Sequence, residues 1–288
     1  MRRTGIVITA VLSAILMFPL SSGGQQGCIP VYARNAGDVA YSPGERLSFS
    51  IHYTWGILDA DMGVAEISLD TVTVNGTPAF HCRVTGSSVR IYDYFFKVRE
   101  DFNSWFACDG LSPIRFTRDT HEGRYFAWNE YNYRWDAEKP YADAVVRTSK
   151  MKEKHLQLPL KTCTADLPAL FFYARNIDMS RVTANVKHPM SFVIDDELFD
   201  VYFIYKGKCI RNVKGLGSVR CLEFAAKLLE GEVFKGDKDL TIYISDDPNR
   251  LPVSFGAPIL VGHLEGRLTG YSGLKYEFSS LEQVQANG

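Results

Sequence analysis

Apolar and polar residues alternate one for one along much of this chain. Leu47, Phe49, Ile51, Tyr53 and Trp55 are separated by Ser48, Ser50, His52 and Thr54, the period of a half-buried strand, and Pro43-Gly44-Glu45 opens the run. Residues 58–63 read as a turn and 64–74 as a second strand, and Asn75-Gly76 then marks a hairpin into a third strand at 79–85. Residues 95–106, 113–120, 124–135 and 144–148 continue the pattern, and a second set follows at 198–205, 218–229, 240–245, 251–255 and 262–271. Strand succeeds strand through short turns, which predicts an antiparallel meander and not a sheet built from β-α-β units.

One segment has the other period. Leu167, Leu170, Phe171 and Ala174 share a face at helical spacing, so residues 166–176 predict one amphipathic helix. Thr164 is its candidate N-cap, Asp166 suits the positive end, Pro168 is tolerated in the first turn, and Asn176 can stop it after Arg175. The apolar face needs cover, and the concave side of a curved sheet supplies it. No linker rich in Pro, Gly or Ser divides the chain, and no repeat is visible. The fold expected is mainly β: a single large curved antiparallel sheet or half-barrel with one inserted helix. It forms one domain over residues 34–282, with a frayed polar tail at 283–288.

The N-terminus changes the picture of where this domain works. Arg2 and Arg3 precede an apolar run at residues 5–20, and small residues follow at 21–24. That is a signal peptide over residues 1–23, with a second cleavage point as late as residue 33. The body is expected in the periplasm or cell envelope. An uncleaved anchor gives the same compartment, and Gly27-Cys28 leaves a lipid-modified Cys28 as a further alternative. An exported chain can form disulfides. Six cysteines are present with no C-x-x-C spacing, so neither a zinc ribbon nor a thioredoxin motif is supported. If residues 213–217 form a hairpin loop, Cys209 and Cys221 stand opposite each other at about 4.5–5.5 Å between Cα atoms, which is compatible with a disulfide. The alternative is a pair of small apolar side chains facing a core.

Composition narrows the chemistry. The chain has 288 residues, of which 46% are hydrophobic and 13% aromatic, and a formal net charge of -1. No basic run supplies phosphate contacts, so nucleic acid is not an expected partner. The six histidines are scattered without ligand spacing, and no phosphate loop, dinucleotide fingerprint or G-x-S-x-G elbow occurs, so neither a metal nor a cofactor is expected. Asp59 and Asp61 resemble only the start of a calcium loop. In T-I-Y-I-S-D-D-P-N-R-L, the residues Asp246, Asp247 and Arg250 sit between two strands among turn formers. They are read as a structural turn, with an Asp247–Arg250 bond across it and a site at a cavity mouth as the alternative. Tyr125, Tyr131, Tyr133 and Trp135 share one strand face. They fill a core, line an apolar cavity, or form a platform for a sugar. Trp55, Tyr131, Tyr133, Trp135 and Phe171 are the candidate ligand-binding residues.

The motifs in order carry a resemblance. Pro43-Gly44-Glu45-Arg46-Leu47, His52-Tyr53-Thr54-Trp55-Gly56 and Gly63-Val64-Ala65 resemble the opening of a bacterial envelope family, domain of unknown function 3108. Asp166-Leu167 leading to Tyr173-Ala174-Arg175, Gly217 with Cys221, Ile244-Ser245-Asp246-Asp247 with Arg250-Leu251-Pro252-Val253, and Val261-Gly262-His263-Leu264 extend it over residues 41–277. The resemblance implies a periplasmic β-rich protein akin to the half-barrels of lipoprotein carriers, in which a helix covers an apolar cavity. It brings no catalytic residues. The function expected is non-enzymatic: an envelope protein, peripheral to the membrane, that binds a hydrophobic small molecule, lipid or acyl chain in a β-lined cavity. One alternative is a module that binds glycan or another envelope protein through an exposed face of Tyr131, Tyr133 and Trp135. Another is a hydrolase using carboxylates such as Asp246 or Glu100, which must face a second carboxyl about 5–10 Å away.

Overall fold

A computed structural model describes residues 38–226, 239–258 and 262–282. The expected signal peptide, Cys28 and the tail at 283–288 lie outside the described residues. The first eight strands are β1 (Arg46–Trp55), β2 (Leu58–Val74), β3 (Thr77–Ser88), β4 (Val98–Ala107), β5 (Pro113–Glu122), β6 (Tyr125–Arg134), β7 (Tyr141–Thr148) and β8 (Met151–Pro159). The other seven are β9 (Thr164–Ala165), β10 (Lys187–Ile194), β11 (Glu197–Val213), β12 (Gly217–Ala226), β13 (Leu240–Ser245), β14 (Pro252–Pro258) and β15 (His263–Ser272). Among the described residues two α-helices, α1 (Arg90–Asp93) and α2 (Leu167–Arg175), and a 3-10 turn at Met179–Arg181 accompany them.

The fifteen strands of the described residues belong to one sheet, in the order β8-β7-β6-β5-β4-β3-β2-β1-β15-β14-β13-β12-β11-β10-β9. Two meanders are therefore joined back to back by the antiparallel β1–β15 ladder, and only the short β9–β10 ladder is parallel. No backbone ladder joins the outer strands β8 and β9. Side chains bring that region together instead: Lys154 of β8 meets Asp196 in the β10–β11 turn at 2.8 Å, and Lys161 meets Asp200 of β11 at 2.6 Å. The result is a curled, unclosed sheet.

The alternation visible in the sequence decides what faces inward. On β4, Val98, Glu100, Phe102, Ser104 and Phe106 are buried and the residues between them are not. Phe80, Phe102, Phe106, Phe116, Tyr131 and Tyr133 join Tyr41 and Phe172 in one core cluster. Leu47, Phe49, Ile51, Tyr53 and Leu264 form a second with Val213 and Val219, from the end of the β11–β12 hairpin. Asn75 and Gly76 both take positive φ, 50° and 80°, in the predicted hairpin between Val74 and Thr77.

Several expectations need correction. β2 starts at Leu58, so the turn is Gly56-Ile57 and not residues 58–63. β8 and β10 were not foreseen, because β8 is mostly exposed and β10 is buried almost throughout, and neither alternates. The N-cap of α2 is Asp166, while Thr164 belongs to β9. The deeply buried face of α2 is Pro168, Ala169, Phe172 and Arg175, not Leu167, Leu170, Phe171 and Ala174. The helix lies between clusters: Leu170, Tyr173 and Ala174 pack half-buried against a third cluster around Phe203 and Phe224. Cys209 and Cys221 are cross-strand partners as the register required, with Val213 opposite Gly217, but both are free thiols. The Cys221 thiol donates to the carbonyl of Val219 in its own strand at 3.4 Å instead of reaching Cys209. Cys163 is disulfide-bonded.

Candidate functional site

The helix α2 and the segments that grip it form the most elaborate polar and aromatic assembly in the fold. Asp166 caps the helix by accepting the Ala169 N–H at 2.9 Å, and the Tyr133 hydroxyl approaches its other oxygen at 3.4 Å. Burial pushes the Asp166 carboxyl up to about 7, against the pull of these hydrogen bonds. Phe172 enters a box of rings. Tyr41 lies at 4.7 Å edge-on and Phe106 stacks at 5.8 Å, while Tyr41 in turn meets Phe80 at 5.4 Å. Asn176 fastens the far end: its Nδ2 donates to the Phe172 carbonyl at 2.8 Å, and its Oδ1 accepts the Ala40 N–H at 2.8 Å.

Arg175 is the deepest anchor. Its guanidinium pairs with Glu45 and donates to the Asn249 carbonyl at 2.9 Å, with both charged side chains essentially inaccessible. It also lies over the rings of Tyr41 and Phe172 at 5.2 and 5.3 Å. An open cleft of about 270 Å³ borders this end of the helix, lined by Ala40, Arg175, Asn176, Ile177, Asp246, Asp247, Pro248 and Arg250.

The predicted turn forms one wall of that cleft. The Asp247–Arg250 bond expected across the turn is present and runs through the main chain, with the Arg250 N–H donating to the Asp247 carbonyl at 3.2 Å. The guanidinium of Arg250 faces Asp246 at 4.0 Å, and Lys208 reaches Asp246 at 2.7 Å. Asp247 turns inward. One of its oxygens accepts from Ser245 Oγ and the Asn249 N–H at 2.9 and 3.0 Å, and the other from Ser280 Oγ and N–H at 2.7 and 3.3 Å. Arg250, not Asn249, takes the left-handed backbone at φ 50°.

The candidate ligand residues do not converge on one pocket. Tyr131 and Tyr133 are buried in the core. Trp135 stacks beside Tyr133 at 6.2 Å and donates its indole N–H to the Pro113 carbonyl at 2.7 Å. Phe171 meets Phe172 edge-on at 5.1 Å and is half-buried. Trp55 stands exposed at the tip of the β1–β2 hairpin, away from the others. An exposed platform of Tyr131, Tyr133 and Trp135 is therefore not present, because the strand turns that face inward.

A second buried network sits on the same concave wall. Arg118 bonds Thr120 at 2.8 Å and Asp195 at 3.1 Å, Thr120 donates to Glu100 at 2.6 Å, and Asn129 donates to Asp195 at 3.1 Å. Burial raises the Asp195 carboxyl while Arg118 opposes the shift. Glu100, the carboxylate weighed for hydrolysis, is committed to this network, and Asp246 lies in the turn with its cationic partners. Asp59 and Asp61 flank His52 at 2.6 and 2.8 Å and so are partners of its two ring nitrogens. Among the described residues no group of three or more His, Cys, Asp or Glu is placed to hold a metal.

Tyr41, Glu45, Phe172, Arg175, Arg118 and Asp195 were not singled out as site residues from the sequence. The available clue lay in the charged residues inside the short motifs, Glu45 in Pro43–Leu47 and Arg175 after Tyr173-Ala174.

Comparison with known proteins places the chain. No curated protein matches it. Among solved structures it is similar to a β-barrel-like protein of domain of unknown function DUF1849 from Brucella abortus, with 13% identity, 81% of this chain and 98% of that chain covered, and a TM-score of 0.49. It is also similar to a protein of Bacteroides fragilis described as exported with a YmcC-like fold, with 8% identity, coverage of 81% and 97%, and a TM-score of 0.35. A candidate lipoprotein of Parabacteroides distasonis matches with 9% identity, coverage of 82% and 99%, and a TM-score of 0.30. The model of the family described as "Protein of unknown function (DUF3108)" matches residues 48–269, most of the chain, and the protein belongs to that family.

Proposed function

We propose that this protein is a non-enzymatic component of the cell envelope that binds the apolar chain of a lipid inside the curve of its sheet, with α2 as the element that makes way for it. One observation carries this reading. The concave aromatic box of Tyr41, Phe80 and Phe106 is filled by a single side chain, Phe172, borne on a nine-residue helix that is not part of the ladder. An apolar chain is the ligand whose polarity matches the rings that surround Phe172. The cleft beside Arg175 and Asn176 borders the anchored end of the helix, about which α2 would have to turn. In the closed state described above the box is packed, so binding requires displacement of α2.

Native mass spectrometry of protein released gently from the envelope tests the proposal. Adducts of lipid or fatty-acid mass are expected, and Phe172→Ala should retain more of them than the unaltered protein. Protein that emerges free of adducts and binds no member of a fatty-acid series, in both forms, overturns it.

A further inference from the structure

One end of the sheet presents an apolar surface that no part of the described fold covers. The connection from β3 to β4 runs through α1 and exposes Val89, Ile91, Tyr94 and Phe95, with Tyr94 at 90% of full accessibility. Strands β1 and β3 point the same way in the meander, so the β1–β2 hairpin projects its tip from the same end. That tip exposes Trp55, Ile57 and Leu58, and Ile57 is fully accessible.

The exposure is built in and does not come from a loose loop. Asp93 is held by Arg99 at 2.6 Å and by the hydroxyl of Ser88, which also accepts the Val98 N–H at 3.0 Å. The N–H groups of Phe95 and Phe96 both reach the Tyr92 carbonyl at 2.9 Å. Phe96 packs against the second core cluster and under Gly123, where a Cβ would meet its ring at 2.8 Å. Gly123 in turn donates its N–H to the Lys97 carbonyl at 2.8 Å. Four aromatic residues in succession around one acid are thus sorted: Phe96 goes into the core, Tyr92 is half-buried, and Tyr94 and Phe95 point to solvent, edge to face at 5.4 Å.

Charge identifies what covers this surface. On the β3–β4 connection the single acid of residues 89–97, Asp93, is neutralised by Arg99, whereas the β1–β2 tip carries the exposed acids Asp59 and Asp61 and lies outside the docking face. Arg90 and Lys97 remain exposed beside the rings, and Arg124, next to Gly123, adds a third cation. Aromatic and branched apolar side chains ringed by basic residues suit the boundary between lipid headgroups and acyl chains, where rings insert shallowly and cations sit at phosphates. We propose that the β3–β4 connection docks on the surface of a bilayer containing anionic lipid, with Ile91, Tyr94 and Phe95 entering the boundary layer and Arg90, Lys97 and Arg124 on lipid phosphate. The inference stands on a different surface from the aromatic box and does not depend on acyl-chain binding there.

Vesicle flotation with the full protein, bearing its natural N-terminus, tests it. Partition into vesicles of phosphatidylcholine with phosphatidylglycerol should exceed that into phosphatidylcholine alone by about tenfold or more, and added salt should weaken it. The double variant Tyr94→Ser/Phe95→Ser should lose about tenfold or more in partition. Because both side chains are exposed, its melting temperature should stay unchanged. Arg90→Glu/Lys97→Glu should abolish the preference for the anionic vesicle. Equal flotation of the unaltered protein and the Tyr94/Phe95 variant overturns the proposal, since attachment then comes from elsewhere in the chain. A dimer in sedimentation that the same variant dissolves also overturns it, because a second copy then covers the patch.

Discussion

Glu45 and Arg175, 130 residues apart in sequence, face each other as a two-pronged ion pair closed off from solvent, with Nη2 and Oε2 2.9 Å apart. The pair pins the last turn of α2 to the segment that leads into β1, and the Asn249 carbonyl takes part of the same guanidinium. An intact buried pair adds little over a well-packed apolar substitute, but half of one is expensive. Glu45→Ala should therefore lower unfolding stability by about 3–5 kcal/mol by leaving Arg175 buried and uncompensated. Replacing both residues together, as Glu45→Gln/Arg175→Met, should recover part of that loss. Urea titration of the three proteins measures it, and a Glu45→Ala midpoint equal to that of the unaltered protein would remove the pair from its role as anchor.

The same pair shows what the sequence discloses and what it hides. Glu45 and Arg175 each lie in a short motif recognisable along the chain, but only the folded sheet brings the motifs together. Local patterns did carry far. The alternation from Leu47 to Trp55, the Asn75-Gly76 hairpin, the Cys209–Cys221 register and the span of α2 all follow from period and turn chemistry. The concave polar network did not, and β5 explains why. Its inward positions hold Arg118, Thr120 and Glu122, while its outward positions hold Thr117, Asp119 and His121. With both faces polar, no amphipathic contrast marks which one is inside. The aromatic site residues failed for the opposite reason: rings on an enclosed face fill space, and sequence does not distinguish a filled core from a lined cavity.

The polar contacts that bring the sheet ends together divide into two classes with different expected energies. Asp195 is buried against Arg118 and Asn129, and its main-chain oxygen accepts the Tyr131 hydroxyl at 2.9 Å. Lys154–Asp196 and Lys161–Asp200 lie at the surface. Asp195→Ala should cost about 3–5 kcal/mol through the stranded Arg118. Asp196→Ala and Asp200→Ala should each cost less than about 1 kcal/mol, and still less in high salt. Chemical denaturation of the three variants ranks them, and equal losses would contradict this division.

The Asp166 carboxyl makes stability depend on pH with a definite sign. Its ordinary value is 3.8 and burial lifts it to about 7 in the folded protein. Between those values the folded state holds the proton more tightly than the unfolded chain does. The stabilising contribution is thus fully present below about 3.8, declines as pH rises through the window, and is gone above about 7. Asp166→Asn keeps an acceptor for the Ala169 N–H and cannot ionise. Relative to the unaltered protein, the variant should match it near pH 4 and be more stable by a few kcal/mol at pH 8, at about 1.4 kcal/mol per pH unit across the window. Taking the difference between the two proteins cancels the other titrating groups. A difference that stays constant with pH would show that Asp166 remains ionised throughout.

Asp247 gives the sharpest test of how the turn holds the chain's last described segment. From sequence alone, Asp247→Asn should be mild, because Asn keeps turn propensity and an acceptor. The structure revises that expectation. Both oxygens are in use, one within the turn for Ser245 and Asn249 and the other for the hydroxyl and N–H of Ser280. An amide can serve only one of these groups, and its NH₂ then confronts a donor. Asp247→Asn should therefore cost about 1–2 kcal/mol, and Asp247→Ala about 2–3 kcal/mol by leaving the Asn249 and Ser280 donors without their acceptor. The losses should be local first. Hydrogen exchange at the Ser280 amide, and at Arg220, whose N–H donates to the Ser280 carbonyl at 2.9 Å, should accelerate before the β1–β2 ladder is affected. Asp246→Ala gives the control, since Asp246 meets only Lys208 and Arg250 by its side chain at a half-exposed position, and it should change stability by less than about 1 kcal/mol. If Asp246→Ala and Asp247→Ala shift the melting temperature equally, the inward network of Asp247 is not what fastens the C-terminal segment to the sheet.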